Sequence, residues 1–136
     1  MCYNINSNLE KGNILVAEDD PVLREVYVKK FSIAGYTIRT ANNGEETLAA
    51  IEQETPDLLI LDINMPVMDG FSVLEKYPKE ERPFPVIMLT NFGDEKNRAR
   101  GEELGSDDYF IKSQMTMRKL LEMVENLMKA KKYWNK

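Results

Sequence analysis

Two segments of the chain are apolar at every position: Leu58-Leu59-Ile60-Leu61 after Pro56, and Val86-Ile87-Met88-Leu89 after Pro85. A half-exposed strand shows a polar face, so a short run without one implies a strand covered on both sides. Ile14-Leu15-Val16-Ala17 is a third run of this kind, and Tyr36 to Thr40 and Tyr109-Phe110-Ile111 read as two further strands. Helical patterns separate them. Asp20 and Pro21 supply a cap and a first helical position for a segment with Leu23, Val26, Tyr27 and Phe31 on one face, ending near Gly35. Asn43-Gly44-Glu45-Glu46 opens a second helix with Leu48, Ala49 and Ile51 expected on its inner face, and Asp69 caps a short third helix through Leu74. Asp94 to Leu104 is a charged fourth helix ended by Gly105, and Met117 to Met128 a fifth. Its Met117, Leu120, Leu121, Val124, Leu127 and Met128 form one apolar stripe. Five β-α alternations joined by right-handed crossovers predict an α/β fold, a parallel sheet with helices on both faces.

The chain's 136 residues suit one domain. The predicted organisation is a flexible N-terminal extension over 1–12, a folded domain over 13–130 and a basic tail over 131–136. Lys129, Lys131, Lys132 and Lys136 are expected to be solvated, and Tyr133-Trp134 either packs back or docks a partner. Eighteen basic against 23 acidic residues give a net charge of −5, the wrong sign for gripping a nucleic acid backbone directly. No stretch approaches the roughly 18 apolar residues of a membrane span, and the N-terminus lacks a signal-peptide core, so a cytoplasmic, membrane-free protein is expected. A lone cysteine, Cys2, forms no intrachain disulfide and no thiolate metal site. The absence of histidine excludes a Ser-His-Asp triad, a His-bound zinc and an imidazole base.

In an open parallel sheet, ligands bind beyond the carboxyl ends of the strands. Here the apolar runs end in Glu18-Asp19-Asp20, Asp62, Thr90 and Lys112. Gathered carboxylates repel unless a cation lies among them, and an all-oxygen set beside a phosphate suits Mg²⁺. Lys112 and Thr90 supply a positive charge and a hydroxyl suited to a phosphoryl group. A carboxylate is already ionised at neutral pH, with an unperturbed pKa of about 4, so in-line attack on phosphorus needs no general base.

The ordered set Ile14 to Pro21, Leu59-Ile60-Leu61-Asp62-Ile63-Asn64-Met65-Pro66-Val67-Met68-Asp69-Gly70, Val86 to Thr90 and Tyr109-Phe110-Ile111-Lys112 resembles the receiver domain of two-component response regulators, over about Asn13 to Ala130. The resemblance implies a flavodoxin-like sheet of strand order 2-1-3-4-5. It also implies Asp62 as phosphoacceptor, Asp19 as a direct Mg²⁺ ligand, Glu18 acting through water and Asn64 through its carbonyl. Asp62 itself joins the metal set. Thr90 then corresponds to the switch hydroxyl, Lys112 to the phosphate-pairing lysine and Tyr109 to the switch aromatic. A sensor histidine kinase or phosphotransfer protein is implied as donor. A downstream protein is the implied target, docking on the face of the fourth helix, fifth strand and fifth helix, with Lys96, Arg98, Arg100 and Lys119 as candidate contacts. The chain is then expected to be a stand-alone, chemotaxis-type module without an output domain, and not an enzyme beyond self-phosphorylation and slow autodephosphorylation. Two departures stand out: Ser113 where the family places proline after the lysine, and Asn91 where a small residue is common. The competing readings are a haloacid dehalogenase-type phosphatase, whose second aspartate would fall where Asn64 stands, and a pseudo-receiver scaffold.

Overall fold

The computed structural model describes residues 11–91 and 95–134, with side chains through Ala130. The extension before Asn13 falls outside them up to residue 10, as do Cys2, the expected helix start at Asp94, Lys136 and the side chains of Lys131, Lys132, Tyr133 and Trp134.

The chain alternates β1 (Asn13–Ala17), α1 (Pro21–Ile33), β2 (Thr37–Ala41), α2 (Gly44–Gln53), β3 (Leu58–Asp62), α3 (Gly70–Lys76), a 3₁₀ turn (Lys79–Glu81), β4 (Val86–Thr90), α4 (Glu95–Glu103), β5 (Asp108–Ile111) and α5 (Met117–Trp134). The five strands form one parallel sheet of order β2-β1-β3-β4-β5. Side chains alternate across a strand, which explains why the central runs carry no polar position. Leu15, Leu59, Leu61, Val86 and Met88 pack with Ile51, Phe71, Val73 and Leu74 on one face. Ile14, Val16, Leu58, Ile60, Ile87 and Leu89 pack with Tyr27, Phe31, Leu120 and Val124 on the other. Each such side chain contributes about 1.5–3 kcal/mol through burial, so both faces act as cores.

The helix starts follow the capping chemistry expected of them. Asp20 accepts the Val22 and Leu23 amides, Asn43 that of Glu46, and Asp69 that of Ser72. Three details differ from expectation. Tyr36 precedes β2 rather than opening it, and its ring meets Phe31 edge-on at 6.1 Å. In α2 the inner positions are Gly44, Thr47 and Ile51, with Leu48 and Ala50 packing beside them, while Ala49 is exposed. Close seating of Gly44 on Met68 sets the helix phase, and the Thr47 hydroxyl is satisfied by donating to the Asn43 carbonyl at 2.7 Å. Finally, α5 runs on past Met128 to Trp134.

Helix α4 buries only Gly101. Its arginines help hold it in place, Arg100 stacking on Phe71 at 4.5 Å and Arg98 on Tyr109 at 5.8 Å. Among the described residues, no helix is long and apolar enough to cross a membrane.

Candidate functional site

Strand register assembles the acidic pocket. Ala17 pairs with Leu61, so the next residues, Glu18 and Asp62, leave the sheet side by side where strand order reverses between β1 and β3. Both are almost wholly buried, at 1% and 2% exposure. Asp19 joins them from the exposed side, and one carboxylate oxygen from each of Glu18, Asp19 and Asp62 lies within 4.8 Å of the others. Thr90, fully buried, ends β4 one position beyond the Leu89 that pairs with Asp62.

Lys112 completes the cluster from the end of β5. Its ammonium lies 2.6 Å from Glu18 Oε1 and 3.0 Å from Asp62 Oδ2. The second Asp62 oxygen accepts the Asn64 amide at 3.1 Å, and Glu18 Oε2 accepts that of Asp20 at 3.2 Å. Burial, reinforced by Asp62, holds the Glu18 carboxyl above the ordinary value despite Lys112. Burial and Glu18 do the same to Asp19. For Lys112 burial pulls the other way, but the two carboxylates outweigh it and hold the ammonium above its ordinary value. One lysine thus pairs with two of three converging acids. That excess negative charge, presented as oxygen ligands at an opening to solvent, fits a hard divalent cation.

Other expected residues have different surroundings. Asn64 is exposed beside the pocket, with its amide committed to Asp62. Tyr109 is buried on β5 under the Arg98 guanidinium. Asp20 serves as a helix cap. Lys96, Arg98, Arg100 and Lys119 are exposed, although Arg98 and Arg100 also stack on rings. Gly70 passes so close to the Asp62 carbonyl that a Cβ there would collide with it, which accounts for glycine in the Met-Asp-Gly segment. Arg24 was not singled out from the sequence. Its guanidinium donates to the Glu18 carbonyl at 2.8 Å and fixes the turn that carries Glu18 and Asp19. A cation one helical turn past an N-cap has no sequence signature of its own. Around Lys112 and Ser113 the described backbone contains no cis peptide bond, and the Ser113 hydroxyl donates to the Asn91 carbonyl at 2.7 Å.

The family model for the response regulator receiver domain matches residues 14–125. The chain belongs to that family. As a receiver it is a signalling domain of two-component systems rather than a classical enzyme, which sets the phosphatase reading aside, and its family implies a histidine kinase as partner. It is 39% identical over 124 residues to the probable transcriptional regulator ycf27 of Cyanophora paradoxa, covering 87% of this receiver and 52% of that protein. It is 37% identical over 99 residues to the alkaline phosphatase synthesis transcriptional regulatory protein PhoP of Bacillus subtilis, covering 73% and 41% respectively. The receiver therefore spans about half or less of the length of these curated relatives. Among solved structures it resembles a CheY-like receiver domain protein from Methanospirillum hungatei, with TM-score 0.83, 29% identity, and 89% and 96% of the two chains covered. The receiver domain of the Francisella response regulator 1452 matches with TM-score 0.81 and 32% identity, covering 88% and 98%.

Proposed function

We propose that this receiver accepts a phosphoryl group on Asp62 from a phosphohistidine donor, with Mg²⁺ held by Glu18, Asp19, Asp62 and the Asn64 carbonyl. The observation that carries the reading is the convergence of three carboxylates within 4.8 Å, with the Lys112 ammonium on Asp62. A bound Mg²⁺ would supply charge neutralisation for the transferring phosphoryl oxygens. The protein's own groups do the rest. One Asp62 oxygen attacks phosphorus in line as the phosphorus–nitrogen bond of the donor breaks, and the imidazole leaves with that electron pair. The neighbouring Asn64 amide and Lys112 ammonium orient the carboxylate, and Lys112 stays to pair the new negative charge. Thr90, at the end of β4, is the hydroxyl donor placed to follow the phosphoryl group. Tyr109, inside β5, is the aromatic that responds, and the α4-β5-α5 face passes the change to a downstream protein. The intact cluster favours a phosphoacceptor over a pseudo-receiver scaffold.

A cytoplasmic location accords with a kinase-fed module. The chain's net charge of −5 argues against direct nucleic acid contact by the receiver itself. Any such contact by a longer protein carrying it would fall outside the receiver. Incubation with acetyl phosphate tests the assignment. Native chain should gain one phosphoryl group by intact mass only when Mg²⁺ is present, and Asp62→Asn should gain none. Equal modification of the two would overturn it.

A further inference from the structure

We infer that Ser113 is a positioning residue that ties the Lys112 loop to the backbone beside Thr90, and so helps set how readily Asp62 takes up a phosphoryl group. The inference rests on the phosphoacceptor reading above. Two consecutive rungs join the loops that follow β4 and β5. The Lys112 amide donates to the Thr90 carbonyl at 2.7 Å, and the Ser113 hydroxyl donates to the Asn91 carbonyl at 2.7 Å. The first rung continues the strand ladder. The second is made by a side chain after the strands have ended. Proline has neither a hydroxyl nor an amide hydrogen, so a residue of the usual family type could not make it. The acceptor is a main-chain carbonyl, so the rung depends on the side chain at position 113 alone.

The rung matters because of what lies next to it. Lys112 reaches Glu18 and Asp62 from the end of its strand, at 2.6 and 3.0 Å, so the placement of its backbone bears on how the ammonium is shared between the two carboxylates. The carbonyl that anchors Ser113 belongs to the residue directly after Thr90. One hydroxyl thus couples the loop bearing the phosphate-pairing cation to the loop bearing the switch hydroxyl. Ser113 is itself exposed, so its bond adds little to global stability, and its effect should appear at the site.

The test compares native chain, Ser113→Ala and Ser113→Thr in two measurements. With acetyl phosphate and Mg²⁺, the alanine variant should be modified about two- to tenfold more slowly, the span one hydrogen bond supplies, while threonine keeps the donor and holds the rate within about twofold of native. In the unmodified protein, amide exchange at Lys112 should quicken in the alanine variant and return in the threonine variant, with the thermal midpoint nearly unchanged. Native rates and native exchange in Ser113→Ala would overturn the inference while leaving Asp62 as acceptor. Equal slowing by alanine and threonine would also overturn it. A native chain that takes up no phosphoryl group would overturn the acceptor reading and the kinetic half of this inference, and exchange at Lys112 would still decide whether the tie exists.

Discussion

At the amino-terminal end of the sheet, Arg82 and Asp107 form a buried pair tied into the surrounding backbone by hydrogen bonds. At the carboxyl-terminal end, Glu18 and Asp62 share one ammonium. The Arg82 guanidinium donates to the Phe84, Tyr77 and Gly105 carbonyls and meets Asp107 at 2.8 Å. Asp107 in turn accepts the Val86 amide at 2.8 Å, which pins the start of β4. On the edge strand β2, Arg39 caps the end of α2 through the Ala50 and Glu54 carbonyls at 2.9 and 2.6 Å. These charges hold the fold together. At the other end of the same strands, burial and crowding hold Glu18 and Asp19 above their ordinary values, an arrangement that weakens the fold and suits a cation and a phosphoryl group. The contrast separates buried charge used for architecture from buried charge kept available for chemistry.

The largest test of the contrast is Arg82→Ala. The substitution leaves Asp107 with only the exposed Lys79 ammonium at 3.3 Å and strips the Phe84, Tyr77 and Gly105 carbonyls of a donor, and should cost about 3 kcal/mol in denaturant unfolding, with phosphoryl uptake per folded molecule unchanged. A fall in uptake beyond the folded fraction would break the distinction between the two ends. Glu18→Gln should act with the opposite sign. Relief of burial and of crowding by Asp62 should outweigh the loss of the Lys112 ion pair and raise the unfolding free energy in divalent-free buffer, and more Mg²⁺ should be needed for half-maximal uptake. Destabilisation of the divalent-free protein would place Glu18 with the architectural charges. The smallest effect concerns Tyr36, whose hydroxyl is pushed up to about 12, first by burial and then by Glu125. A value raised on folding means a contribution complete below about 10 and lost as pH rises through about 12. The thermal midpoint should therefore fall over that interval, and Tyr36→Phe should make the decline shallower. An identical slope in the variant would remove Tyr36 from the alkaline response.

Much of this was legible because strand ends are legible. All-apolar runs marked β1, β3 and β4, and the polar residue after each run named Glu18, Asp62 and Thr90 before any contact was known. Caps at Asp20, Asn43 and Asp69 could be read because a side-chain oxygen before a helix has one dominant use. The inner face of α2 was harder. Its phase depends on Gly44 seating against Met68, a tertiary contact with no periodic signature. Long-range polar contacts were likewise hidden. Nothing in the spacing of Arg24 announces a bond to the Glu18 carbonyl, and nothing at Arg82 announces Asp107, 25 residues away. The left-handed backbone at Val67, φ 70°, was also invisible, since a β-branched residue is among the least expected there. Ser113 was visible as a departure from pattern, but its partner emerged only once two loops were seen together.

The most direct measurement is to locate the phosphoryl group itself. Native chain modified by acetyl phosphate with Mg²⁺, then reduced with borohydride, should convert one aspartate to homoserine, and peptide mass spectrometry should find it at residue 62 alone. Conversion at another carboxylate, or none at Asp62 in a chain carrying the phosphoryl group, would contradict the account.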